Sequence, residues 1–123
     1  MSDEGLTPVF RRLREIFARH VPPLVVTVDA PGNYSLDAPR PDLPAPRRYF
    51  GGVRMTKNYV SFYLMPVYGL PALQDAISPA LRRRMQGKSC FNFRAIDEPL
   101  FDQLARLTAR SAADFRMYDA AAT

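Results

Sequence analysis

The sequence predicts an α+β fold, an antiparallel β-sheet flanked by an N-terminal and a C-terminal helix, and three patterns carry it. Residues 49–65 (YFGGVRMTKNYVSFYLM) alternate as two strands rich in aromatic and branched side chains, meeting at Lys57-Asn58. Residues 87–93 (GKSCFNF) read as a further short piece of the same sheet. Towards the two ends of the chain, apolar side chains recur at helical spacing instead.

Each element follows from local chemistry. Thr7-Pro8 marks a helix start, because threonine caps free N–H groups and proline suits the first helical position. Val9, Phe10, Leu13, Ile16 and Phe17 then share one face, with Arg11, Arg12, Arg14, Glu15 and Arg19 opposite, until Pro22-Pro23 ends the helix. A basic amphipathic helix can lie on a membrane surface, but packing against a sheet is the favoured role. Residues 24–29 read as a strand, Ala30-Pro31-Gly32-Asn33 as a turn, and residues 34–36 as the return of a hairpin. Residues 38–46 (APRPDLPAP) carry four prolines, each without a ladder donor, and read as a stiff surface connection.

Strict alternation groups Tyr49, Gly51, Val53 and Met55 on one face of the next strand, and Phe50, Gly52, Arg54 and Thr56 on the other. Gly51-Gly52 inside a strand points to a bulge or to a closely approaching group. Across the turn, Val60, Phe62 and Leu64 make a greasy face. Tyr59, Ser61, Tyr63 and Met65 make a mixed one, read first as a sheet face partly covered by helices and second as a pocket wall. Pro66 ends the strand. Leu70-Pro71 and Ser78-Pro79 open two short helices, the first through Ala76, the second to about Met85 with Gly87 as its stop. Cys90, Asn92 and Arg94 then face away from Phe91 and Phe93. Asp97 caps the last helix, where Leu100, Phe101, Leu104, Leu107, Ala112 and Phe115 recur at helical spacing. From about Tyr118 the tail is expected to fray.

A chain of 123 residues, 47% hydrophobic and 24% charged, is sized for one domain spanning 1–123. No apolar run approaches the ~18 residues of a membrane span. The opening MSDEG lacks the apolar stretch of a secretory signal, and with a single cysteine this points to the reducing cytoplasm. The net charge of +5 comes from arginines spread between Arg11 and Arg116 and interleaved with carboxylates, a weak signal for nucleic acid.

One histidine (His20) and one cysteine (Cys90), distant in the chain, supply neither a metal motif nor a nucleophile–base pair. No phosphate-cradling glycine loop or nucleophile elbow occurs. The expectation is therefore no catalytic residue, no metal and no cofactor. His20 reads as a helix C-terminal cap and Cys90 as a small buried hydrophobe. Binding remains. Tyr49, Arg54, Tyr59, Tyr63, Met65 and Arg94 combine aromatic walls with cationic anchors, a candidate pocket for a small anionic ligand. Arg82, Arg83, Arg84 and Lys88 form the densest basic cluster, a candidate anion site or weak nucleic-acid contact. A protein partner, or a homo-oligomer formed through a sheet edge, is the competing class.

Three motifs carry a family likeness: Lys57-Asn58-Tyr59-Val60-Ser61-Phe62-Tyr63-Leu64-Met65, Gly87-Lys88-Ser89-Cys90-Phe91-Asn92-Phe93 and Asp97-Glu98-Pro99-Leu100. Over residues 48–110 the chain resembles the DUF1801 (YdhG-like) family. The resemblance implies an α+β fold with a helix at each end of the sheet and supplies no firm activity. For some relatives it implies a frataxin-like iron-handling role, which needs an acidic, oxygen-rich surface. The carboxylates here are scattered and the first helix is basic, so the residues favour a binding module.

Overall fold

In a computed structural model, which describes residues 2–121, five strands form one antiparallel sheet with helices at both ends of the chain. The elements are α1 (Ser2–Ala18), β1 (Val25–Ala30), β2 (Asn33–Asp37), α2 (Ala45–Arg48), β3 (Tyr49–Met55) and β4 (Val60–Leu64). After these come α3 (Pro66–Gly69), α4 (Pro71–Asp75), α5 (Pro79–Arg82), β5 (Cys90–Phe93) and α6 (Glu98–Ser111). The strand order is β1-β2-β3-β4-β5, so β3 and β4, the 49–65 stretch, lie inside the sheet. The fold is α+β, as the apolar patterns imply.

One sheet face is greasy. Tyr34 and Leu36 on β2, Val53 on β3, Val60, Phe62 and Leu64 on β4, and Phe91 and Phe93 on β5 are all buried. Val9, Leu13 and Phe17 of α1 join them, and so do Leu100, Leu104 and Leu107 of α6, in one continuous core. Arg12 and Glu98 tie the two helices together through a paired contact of 2.5 Å. Arg14 holds α1 to β1 through Asp29 at 2.9 Å, with its guanidinium 4.2 Å above the Tyr34 ring.

Gly51 decides where α1 sits. A Cβ at that position would stand 2.4 Å from the Tyr63 carbonyl oxygen and 2.8 Å from the Phe17 ring. Without it, Phe17 reaches the sheet backbone and stacks on Phe62, centroids 4.5 Å apart and planes 11° from parallel. The paired glycines also accompany a bulge. Leu36 pairs with Gly51 but Asp37 pairs with Tyr49, leaving Phe50 without a partner on β2. Phe50 therefore turns into the core against Phe17, Phe115 and Tyr118. Tyr49 moves to the face of Gly52 and Arg54, which corrects the strict alternation.

Other departures have equally local causes. Helix α1 starts at Ser2 rather than at Thr7, with Pro8 inside it, because buried Leu6 extends the apolar stripe by one turn. Residues 45–48 close one helical turn within the proline-rich connection. The helix opened by Ser78-Pro79 stops at Arg82. The following segment is drawn alongside β5 instead: Asn92 donates its N–H to the Arg84 carbonyl at 2.8 Å and Gln86 donates to Cys90 at 2.9 Å. That contact covers the outer edge of β5.

The tail departs furthest from expectation. Tyr118 is buried and its hydroxyl donates to the Tyr49 carbonyl, Asp119 pairs with Arg47, and Ala120 donates to the Arg47 carbonyl. Arg40 adds bonds from one guanidinium nitrogen to the carbonyls of Phe115, Arg116 and Tyr118 at 3.2, 2.8 and 2.8 Å. Fraying therefore does not hold for residues 118–121, and the last two residues lie outside the described range.

Replacing Phe17 by alanine removes the ring that fills the Gly51 notch. The expected loss is about 3–5 kcal/mol of unfolding free energy, read by urea denaturation. A loss below about 1 kcal/mol would show that the helix is held elsewhere.

Candidate functional site

With α1 and α6 on the greasy face, the mixed face has no helix among the residues that line its hollow. Over the hollow, the pocket-wall reading of that face therefore fits better than the reading in which helices partly cover it. Sheet register arranges it in rows. Asn33, Arg54, Ser61 and Asn92 lie side by side across β2 to β5. Ser35, Gly52, Tyr63 and Cys90 form the neighbouring row. A third begins beyond the strands, where Thr56 pairs with Tyr59 across the Lys57-Asn58 turn and both Tyr59 and Arg94 line one cleft.

Two concavities open on these rows. The central hollow, about 260 Å³, lies over Gly52 with Tyr49, Tyr63 and Ser35 around it and Arg54 at its rim. The absence of a side chain at Gly52 is enforced by the backbone, since a Cβ would fall 2.4 Å from the Tyr34 carbonyl oxygen. The second is a cleft of about 490 Å³ along the β5 edge, lined by Tyr59, Arg83, Arg84, Met85, Gln86, Asn92 and Arg94. It holds three guanidinium groups and no carboxylate.

A hydrogen-bond chain stiffens the floor between them. Ser61 donates to Asn92 Oδ1 at 2.6 Å, and Cys90 offers its S–H to the same oxygen at 3.4 Å. Asn92 Nδ2 donates in turn to Gln86 Oε1 at 2.7 Å. Both amide oxygens are thus occupied, and the Gln86 amide N–H groups remain to face a ligand, beside the guanidinium groups. The site presents donors, which suits an oxyanion.

Charge pairing elsewhere sharpens this. Among the described residues the ion pairs are Arg12–Glu98, Arg14–Asp29, Arg40–Asp42, Arg47–Asp119 and Arg116–Asp114. None engages Arg54, Arg83, Arg84 or Arg94. Asp97 does line a second cleft beyond Arg83 and Arg84, where its carboxylate caps α6 by accepting from the Leu100 N–H at 3.2 Å.

The candidate residues from the sequence fall into two groups. Tyr49, Arg54 and Tyr63 share the hollow, and Tyr59 and Arg94 share the cleft. Met65 lines neither, and its sulfur accepts from the Ser89 hydroxyl at 3.8 Å. The basic cluster does not act as a unit. Arg83 and Arg84 line the cleft, whereas Arg82 bonds to the Gln74 carbonyl at 2.9 Å and Lys88 lies 5.3 Å over the Tyr68 ring. Gln86 and Asn92 are the residues that sequence reasoning missed. The polar parity of Asn92 on β5 was a signal for one, while Gln86 required knowing that its segment runs beside that strand.

Burial sets the protonation of this face. It pushes the Tyr49 phenol up to about 12, reinforced by Tyr63 and opposed by the hydrogen bond with Ser35. Burial likewise raises the Cys90 thiol, with bonds to Ser61 and Tyr63 acting against it. The group is held as a thiol, a poor nucleophile. His20, just past α1, is lowered by burial and by Arg19. No group of three or more His, Cys, Asp or Glu side chains placed to hold a metal ion occurs among the described residues. Comparison with known proteins finds no family model, no curated protein and no solved structure that matches this chain.

A raised tyrosine pKa means that the folded state holds its proton more tightly than the unfolded chain does. The Tyr49 contribution to stability is complete below about pH 10, the unfolded value, and is lost as pH rises towards about 12. Denaturation measured across that window should show a decline in the native chain that is smaller in Tyr49→Phe. Equal declines in the two proteins would contradict the burial of this phenol.

Proposed function

We propose that the chain is a non-catalytic binding module of the cytoplasm whose ligand is an anion held in the β5-edge cleft. The observation that carries this reading is three guanidinium groups converging on one cleft with no carboxylate and no ion pair. Like charges gathered without compensation are unfavourable for folding, so a ligand that neutralises them gives the arrangement a purpose. The Gln86 donor and the Tyr59 ring supply orientation. Membership of the DUF1801 (YdhG-like) family is part of the proposal, supported by the motifs at 57–65, 87–93 and 97–100. An iron-handling role receives no support from a cleft lined by cations.

Tripolyphosphate at low salt is a suitable probe. It should raise the melting temperature of the chain, because a ligand selective for the folded state stabilises by mass action. Arg84→Ala combined with Arg94→Ala should weaken binding about tenfold or more in titration calorimetry, the loss of two charge-assisted contacts. An unchanged melting temperature, or binding indifferent to the double substitution, would overturn the assignment.

A second reading has one observation in its favour. The outer edge of β1 is unpaired in the sheet, and its Val25 and Val28 are 50% and 37% exposed. A partner strand, including that of a second copy, can add there. Light scattering on a size-exclusion column should then show mass rising with concentration, and a monomer at every concentration would remove this reading.

A further inference from the structure

We infer that the anion bound at this site is a single-stranded nucleic acid, lying across the open sheet face from the β5-edge arginines to Arg54. The inference rests on the anion-binding reading above and adds the class of polymer. Its basis is the placement of cations around an aromatic ring. Tyr59 stands at the head of β4, with β3 on one side and β5 on the other. Arg54 projects from β3 and Arg94 follows β5, so one guanidinium lies to each side of the Tyr59 line. Neighbouring strands are about 4.8 Å apart, which separates the two backbones by about 10 Å. Two long flexible side chains close that gap readily.

A nucleotide inside a strand has this layout: one flat base with a phosphate on either side. A mononucleotide or inorganic polyphosphate fills the cleft at Arg83, Arg84 and Arg94 without reaching Arg54, which belongs to the hollow and not to the cleft. Further along β4, Tyr63 lies four residues on, about 13 Å, and offers a second ring beside the bare backbone of Gly52. The rows between, Arg54–Ser61–Asn92 and Gly52–Tyr63–Cys90, contain no carboxylate. Duplex DNA does not suit the site, because base stacking requires unpaired bases.

The test is fluorescence anisotropy with a labelled ten-nucleotide oligothymidylate, set against tripolyphosphate binding by calorimetry, on the full chain. The expected result is oligonucleotide binding that falls steeply with salt. Tyr59→Ala should weaken it roughly 5- to 150-fold, the range for loss of one stacked base. Arg54→Ala should lower the log–log salt slope by about one while tripolyphosphate affinity stays unchanged. Circular dichroism confirms that both variants fold. If tripolyphosphate binds in the cleft but the oligonucleotide binds no tighter, or ignores both substitutions, the inference is overturned and the anion site stands. If neither probe binds, both are overturned.

Discussion

The structure depends on the approach of Phe17 to the backbone of β3, which only a glycine at position 51 permits. A Cβ there would collide with the Phe17 ring at 2.8 Å and with the Tyr63 carbonyl oxygen at 2.4 Å. The ring fills the vacancy, stacks on Phe62 and meets Phe50 edge-on at 6.3 Å between centroids. Helix α1 is thereby fixed to one face, and α6 follows it through the Arg12–Glu98 pair and a shared core. Both long helices lie on the same side. The opposite face is left to its own side chains.

That asymmetry determines where charge accumulates. The carboxylates that meet arginines do so on β1, at the start of α6, in the proline-rich connection and in the tail, and the pairs of Glu98, Asp29 and Asp119 hold separate elements together. Such exposed pairs contribute little individually, about 0–1 kcal/mol each. Their larger consequence is spatial: among the described residues they leave Arg54, Arg83, Arg84 and Arg94 without an ion-pair partner, around a sheet face that also carries Tyr59 and Tyr63. Polar and cationic side chains and core packing are thus divided between the two faces of the same strands, because side chains alternate along each strand.

Much of this was legible in the residues. Alternation on β4 separates Val60, Phe62 and Leu64 from Tyr59, Ser61 and Tyr63, and the structure keeps that division. Asp97 caps α6 as its chemistry requires, and the Gly32 turn has φ of +74°, within the range glycine tolerates. What escaped was set by long-range contacts. The bulge that turns Phe50 inward and returns Tyr49 to the outer face arises from pairing with β2, which no local pattern reports. The run Arg82 to Lys88 reads as one cluster in sequence. In space it divides, because Arg84 and Gln86 bond to β5 and carry their neighbours to different sides. Docking of the tail through Arg40 and Tyr118 spans some seventy residues of chain and leaves no periodic trace.

The proposal that the sheet face opposite the packed one takes an anionic ligand is tested most directly by amide chemical-shift mapping during titration with tripolyphosphate. Shifts are expected only along the cleft, at Tyr59, in the segment from Arg83 to Gln86, and at Asn92 and Arg94, with α1 silent despite its exposed Arg11. Shifts centred on α1, or spread evenly over arginines on every side of the molecule, would contradict it.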